Sequence, residues 1–374
     1  MYRRIFSLAI ALSSAVVLNA AGPFSGKLND KSIREVCDKV ADWQINHFDE
    51  CPHSRTGWHN GALYVGMFAW AEQAENEQVF EFLKKVGTEN KWHMEKRQYH
   101  ADDICVGQAF INMYGKYRKS EMIIPVRERA YYVANHPSKA PLSKKDKKGK
   151  DERWSWCDAL FMAPPVYAAL YRMTGDEVYL NYMDSEYRVA TDSLYDRDEH
   201  LYYRDCIRIP RREPNGAKQF WARGNGWVYA GLTLIMNNLP ASHPSRSFYE
   251  QIYLEMSERL VELQDNKGSW HTSLLDYETY PDAENSGSAF FTYGLAWGIR
   301  NGMLQGDKYS KAMEKGWKAL VSYVDKDGKL GYVQQVAGAP GVAGPEATEV
   351  YGVGAMLLAG SEISKLICSK LIQK

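Results

Sequence analysis

The sequence has no surplus of charge, since 46 Lys and Arg stand against 46 Asp and Glu in 374 residues. Binding a polyphosphate or an anionic bilayer rewards a basic excess, so the balance argues against nucleic acid or a membrane surface as the main partner. Several chemistries also lack their local signatures. There is no GxGxxG after a strand, no GxxxxGK[ST], no HExxH and no GxSxG, which leaves nucleotide, zinc-protease and serine-hydrolase readings without support. Cysteine is sparse and scattered: Cys37, Cys51, Cys105, Cys157, Cys206 and Cys368 form no CxxC, so neither a structural zinc site nor a thioredoxin-like centre is indicated. A chain of this length has enough core to stand without disulfides, and small buried thiols are common in such cores. The nine His residues do not cluster as metal ligands.

What is present begins with an address. Arg3-Arg4, an apolar stretch from Ile5 to Leu18 and a small residue at Ala20 have the layout of a secretory leader over residues 1–20, which predicts a periplasmic or secreted protein. No later stretch is expected to be long and apolar enough to cross a bilayer. Residues 21–374 contain no linker, and one domain is expected.

Within that domain, small residues and aromatics recur at the start of apolar segments. They stand at Gly57-Trp58, Gly107, Pro164-Pro165, Gly226-Trp227, Gly294-Leu295 and Gly352-Val353, at intervals of about 50 to 70 residues. Each interval holds two helices with their turns. The anchored segments, such as Ala62 to Ala69 and Gly352 to Ala359, are apolar nearly all round. The intervening ones are amphipathic: Ile123-Val126-Ala130-Val133, Tyr249-Ile252-Met256-Leu260 and Met313-Trp317-Leu320-Val324. A helix apolar all round must be buried on all sides, whereas an amphipathic one can face water. Six inner helices ringed by six outer ones satisfy both, and the predicted fold is an all-α (α/α)6 barrel. Lys139 to Arg153, Tyr195 to Trp221 and Leu330 to Thr348 read as loops, the last two at the rim of the ring.

Four segments carry residues suited to chemistry. In His100-Ala101-Asp102-Asp103, the carboxylates either serve the start of a helix or enter the mouth of the ring. In Trp154-Ser155-Trp156-Cys157-Asp158, Asp158 is the one charge between Trp154 and Arg172; it reads as an acid in an apolar setting or as a helix cap. In Phe220-Trp221-Ala222-Arg223-Gly224-Asn225-Gly226-Trp227, Arg223 offers a fork for a carboxylate, and Trp221 and Trp227 offer flat faces that suit sugar rings or a core. Trp270-His271-Thr272-Ser273 and Glu284-Asn285-Ser286-Gly287-Ser288 either complete a cleft or cap the next helix, with Ser286 and Ser288 as candidate caps.

The strings DDICVGQ, WSWCDALFMAPP, FWARGNGW, WHTSLLD and ENSGSA, in this order, resemble glycoside hydrolase family 105, the unsaturated rhamnogalacturonyl and related unsaturated glucuronyl hydrolases. The resemblance implies an (α/α)6 barrel that needs no metal or organic cofactor. Its implied substrate is an oligosaccharide ending in a 4,5-unsaturated uronate, and its implied reaction is hydration of the C4=C5 bond. It places the general acid/base on Asp158 and the second carboxylate on Asp102, or on Asp103 if the register shifts by one. It puts substrate contacts on Trp156, Arg223 and Trp227, with Trp221 and His271 in the same cleft, and expects a His before ARGNGW, for which His200 and Arg204 are the candidates. Two rival readings remain at this point: an inverting glycosidase on saturated sugars, and a non-catalytic carbohydrate-binding protein.

Overall fold

The computed structural model describes residues 22–142 and 151–372. The predicted leader and residues 143–150 of the Lys-rich loop lie outside the described residues. The helices in chain order are α1 (Asp30–Asn46), α2 (Trp58–Ala74), α3 (Glu77–Glu89), the single turn α4 (Ala101–Ile104), α5 (Gly107–Tyr117), α6 (Ile124–Asn135) and the single turn α7 (Ala159–Met162). They continue as α8 (Pro164–Thr174), α9 (Glu177–Leu194), α10 (Ala222–Met236), α11 (Arg246–Glu262), α12 (Asn285–Arg300), α13 (Asp307–Ser322) and α14 (Val350–Ile372). A two-residue hairpin, β1 (Tyr195–Asp196) with β2 (Leu201–Tyr202), lies between α9 and α10.

Six helices pack in sequence, α2 on α5, α5 on α8, α8 on α10, α10 on α12 and α12 on α14, and α14 returns onto α2 to close the ring. The outer layer is α1, α3, α6, α9, α11 and α13. The two layers differ as their sequences require. In α2 every residue from Asn60 to Phe68 is buried, whereas α13 buries Tyr309, Met313, Trp317 and Leu320 at helical spacing and turns Lys311, Glu314 and Lys318 to water. Val324, expected to extend that stripe, lies beyond the end of α13 and pairs with Leu330 instead.

Closing the ring demands close backbone approach where α2 meets α14. A Cβ on Gly66 would lie 1.9 Å from the Gly354 carbonyl oxygen, so only glycine fits there. The two helices run parallel: Trp58 stacks on Tyr351 with centroids 5.5 Å apart, and further along Ser361 Oγ donates to the Ala69 carbonyl at 2.9 Å.

Against expectation, one later segment, Val350–Ser369, is long and apolar enough to cross a membrane by length and composition. It is the inner helix α14, and it is apolar because neighbours in the ring cover it on most sides; 89% of the segment is buried. All six cysteines are free thiols, with Cys37, Cys105 and Cys157 buried.

Connections from inner to outer helices are short, as at residues 75–76 and 175–176, and the longest is 237–245. Connections from outer to inner helices are long, from 47–57 to 136–163 and 323–349. The long segments therefore gather where the inner helices begin. That end is the mouth.

Candidate active site

Asp158 stands immediately before α7, the turn that breaks the chain ahead of Pro164 and Pro165 at the start of α8. Its side chain makes no cap to α7, so the cap reading fails. The carboxylate instead faces Arg204, whose Nε lies 3.4 Å from Asp158 Oδ2, and the buried Cys157 thiol, 3.6 Å from the same oxygen. Two backbone links hold the strand around it: Cys157 N donates to the Arg204 carbonyl at 2.9 Å, and Trp156 bridges to Asp205. Asp158 is thus not the lone charge that its sequence neighbours suggested. Arg204 in turn donates from Nη1 to Asp205 Oδ2 at 2.7 Å. Burial works against the Arg204 charge, but Asp158 and Asp205 outweigh it and raise its pKa further above the usual arginine range.

The single turn α4, which packs against α7, carries the second pair of carboxylates. The cap of α4 is His100, whose Nδ1 accepts from Asp102 N at 3.2 Å. Asp102 and Asp103 both follow in the first turn and face different ways. Asp103 is buried and clamped by Arg97, which donates from its backbone N at 2.7 Å and from Nε at 3.0 Å. The Asp102 side chain is 19% exposed and lies 3.8 Å from His100 Nδ1. The His100 ring in turn leans on Trp156, with centroids 5.0 Å apart. Of the adjacent pair, Asp103 fastens the loop and Asp102 keeps more of its side chain exposed. Sequence reasoning quoted His100 without giving it a role; its place as the cap beside the acidic pair was the available signal.

The ARGNGW segment does different work from that expected. Arg223 is wholly buried, and its fork donates to the carbonyls of Gln334 at 2.7 Å and Gln335 at 2.9 Å, with Glu284 Oε1 3.9 Å away. It therefore ties the rim loop down to α10 and does not present an open fork. Trp221 is likewise buried and donates from Nε1 to Gln334 Oε1 at 2.7 Å. Trp227 is wholly buried, against Phe161 and Phe290 and edge-on to Trp58 at 6.0 Å, so it does not present the open face expected of it. Trp156 is almost fully buried beneath His100.

Three further expectations are corrected. His200 sits with φ 53 in the turn between β1 and β2, where its imidazole faces Glu255 of the outer helix α11 at 3.5 Å, away from Asp158. Of the two candidates before ARGNGW, only Arg204 reaches the acid. His271 is held by Tyr280 O at 2.7 Å and Asp265 Oδ2 at 3.1 Å and stacks on Tyr277, which makes it a loop brace. In the ENSGSA segment the cap is Glu284, which accepts from Ser286 N and Gly287 N at 3.1 and 2.8 Å, so neither Ser286 nor Ser288 is the cap.

One cluster brings together His residues that the sequence showed only as scattered. At the junction of α14 and α2, His59 stacks between Trp58 and His53, both at 3.7 Å, and His53 pairs with Glu349 at 2.8 Å. Burial, then His53, then Arg223 push the His59 pKa down to about 3, so its imidazole is neutral at ordinary pH.

Comparison with known proteins fits this architecture. The sequence matches the profile of Glycosyl Hydrolase Family 88 over residues 36–367. The chain belongs to that family. It is 35% identical over 375 residues to an unsaturated 3S-rhamnoglycuronyl hydrolase of Formosa agariphila, spanning 97% of this chain and 98% of the relative. Among solved structures, a protein titled polysaccharide lyase superposes with TM-score 0.81 at 31% identity, covering 91% of this chain and 98% of that one. A glycosyl hydrolase family 88 protein from Bacteroides vulgatus superposes with TM-score 0.80 at 28% identity, covering 90% and 99%. The family 88 profile falls within the group of unsaturated uronyl hydrolases that the strings resembled. This chain is a hydrolase of that type, acting on 4,5-unsaturated uronic acid termini.

Proposed function

We propose that this enzyme removes the 4,5-unsaturated uronate from a rhamnosyl unit by hydrating the C4=C5 bond, with Asp158 as the general acid/base. The observation that carries the assignment is Asp158 itself, a carboxylate at the mouth that is unused by the adjacent helix and paired to a single arginine. Its proton passes to C4 while a water oxygen bonds to C5 and a water proton returns to the carboxylate, which makes one molecule of water the only reactant consumed. The hydrated C5 is a hemiketal. When its ring bond opens to a ketone, C1 is left carrying both a hydroxyl and the aglycone oxygen, and that hemiacetal expels the aglycone as an alcohol. Asp102, on the neighbouring turn, orients the water or the substrate.

The rhamnosyl aglycone is supported by the name of the relative from Formosa agariphila and by its near-complete overlap with this chain. The basic-then-apolar leader supports action outside the cytoplasm. The test is a panel of lyase-generated disaccharides followed by ultraviolet absorbance. Hydration removes the conjugated double bond, so absorbance falls, and the rhamnosyl substrates should have the highest kcat/KM. A rising signal would mean elimination, as in a lyase. Turnover of saturated disaccharides would instead support an inverting glycosidase.

A further inference from the structure

Resting on that reading of Asp158, we propose that Arg204 receives the carboxylate of the unsaturated uronate and that Asp205 is the residue that positions it. The uronate carboxylate is attached to C5, one bond from the carbon that takes the proton, so its receptor must stand beside the proton donor. The arginine to compare with Arg204 is Arg223, on which the resemblance placed a substrate contact. Arg223 is fully buried, with both terminal nitrogens spent on backbone carbonyls of the rim loop. Arg204 has its side chain 22% exposed and its Nε 3.4 Å from Asp158 Oδ2. That Nε is buried without a hydrogen-bond partner among the described residues, as is Nε of Arg223, but of the two only Arg204 stands beside the acid. An unsatisfied donor beside a carboxylate is costly in the empty site and is satisfied when an anion arrives.

Two neighbours make the guanidinium a fixed receptor. Asp205, itself nearly buried, accepts from Nη1 at 2.7 Å and accepts from Ile207 N at 3.0 Å through its other oxygen, so it is braced at both ends. Above the fork the rim loop passes with Gly338, where a Cβ would lie 3.5 Å from Arg204 Cζ and 3.6 Å from Nε. Glycine there leaves free the space over the fork that a side chain would take. Arg204 thus couples recognition to chemistry: the same group that touches the acid selects substrates by their charge.

The test compares the unsaturated disaccharide with its methyl ester, which keeps the double bond and so the ultraviolet signal. The wild-type enzyme should prefer the free carboxylate. In Arg204→Gln, the preference for the acid over the ester should shrink roughly ten- to a hundredfold, as expected for one charge-assisted contact, while the lost contact with Asp158 lowers both substrates alike. Arg204→Lys should recover part of the preference. Asp205→Asn should narrow it through KM, because a loosened fork binds worse without altering the proton donor. Arg223→Gln, acting through the rim loop, should lower both substrates alike. An Arg204→Gln enzyme that keeps the wild-type preference, or an Asp205→Asn enzyme that loses both substrates equally, overturns the proposal while leaving the hydrolase reading intact. A wild-type enzyme that consumes neither substrate overturns both.

Discussion

At one end of the ring the six inner helices begin, and at the other they finish. The finishing end is closed by connections as short as two residues, at 75–76 and 175–176, and its charges serve helix termini and one another. Arg172 donates to the Asn237 carbonyl at 2.8 Å near the end of α10, and Arg300 pairs with Glu362. A cavity of about 390 Å³ lies among them, lined by Asn112, Arg172, Asn237, Arg300, Glu362 and Lys365. The beginning end carries long segments and collects Asp158, Asp102, Arg204 and the His53–His59 stack. Helix starts carry partial positive charge and helix ends partial negative charge. An anionic sugar is therefore favoured at the mouth and disfavoured at the base, even though both ends contain arginine. Loop length adds the second difference, because only the mouth has enough chain to bring residues from separate repeats onto one substrate.

The contrast can be broken or sharpened by substitution. The largest effect is expected at Asp158→Asn, which should lower kcat by roughly 10² to 10⁴ with the melting temperature nearly unchanged, measured by absorbance loss and calorimetry. Next, Arg223→Met should cost about 3–5 kcal/mol in denaturant unfolding, since it breaks a buried ionic contact with Glu284 and frees the rim loop. The adjacent pair should then separate. Asp103→Asn should lower stability by about 1–3 kcal/mol by loosening the Arg97 clamp, whereas the main effect of Asp102→Asn should be a lower kcat. A pH effect stands apart, because it is absent at neutral pH. His59 has a folded pKa of about 3 against an ordinary value near 6.5, so the unfolded chain binds the proton that the folded one refuses, and stability falls as pH drops from about 6.5 towards 3. His59→Asn should flatten that part of the melting-temperature profile. The smallest change belongs to the base: Arg172→Ala should cost about 1 kcal/mol or less and leave kcat unchanged.

Much of the ring was legible in the sequence because a toroid writes its layers into hydrophobic periodicity. The segments from Gly57 and Gly107 and the pair Pro164-Pro165 mark inner helices closely, and Tyr249 to Leu260 falls within α11. Anchors at Gly226, Gly294 and Gly352 lie inside their helices instead; α12 starts on the polar cap Glu284, whereas α10 starts after Trp221 with no side-chain cap. The candidate site was read less evenly. Asp158 stood out as a charge in an apolar run. The burial of Arg223 did not, since an arginine that braces a loop and one that binds a carboxylate look alike until the carbonyls of Gln334 and Gln335 are placed. Partners from other repeats, such as Arg204 for Asp158, depend on how long loops fold back, and composition does not encode that.

The most direct measurement follows the wild-type reaction in deuterated water and examines the released uronate. Proton transfer to C4 from a group in exchange with solvent predicts that each product molecule carries a deuteron at C4 and that deuteration keeps pace with the loss of ultraviolet absorbance. Release of a uronate whose C4=C5 bond is intact would contradict the account.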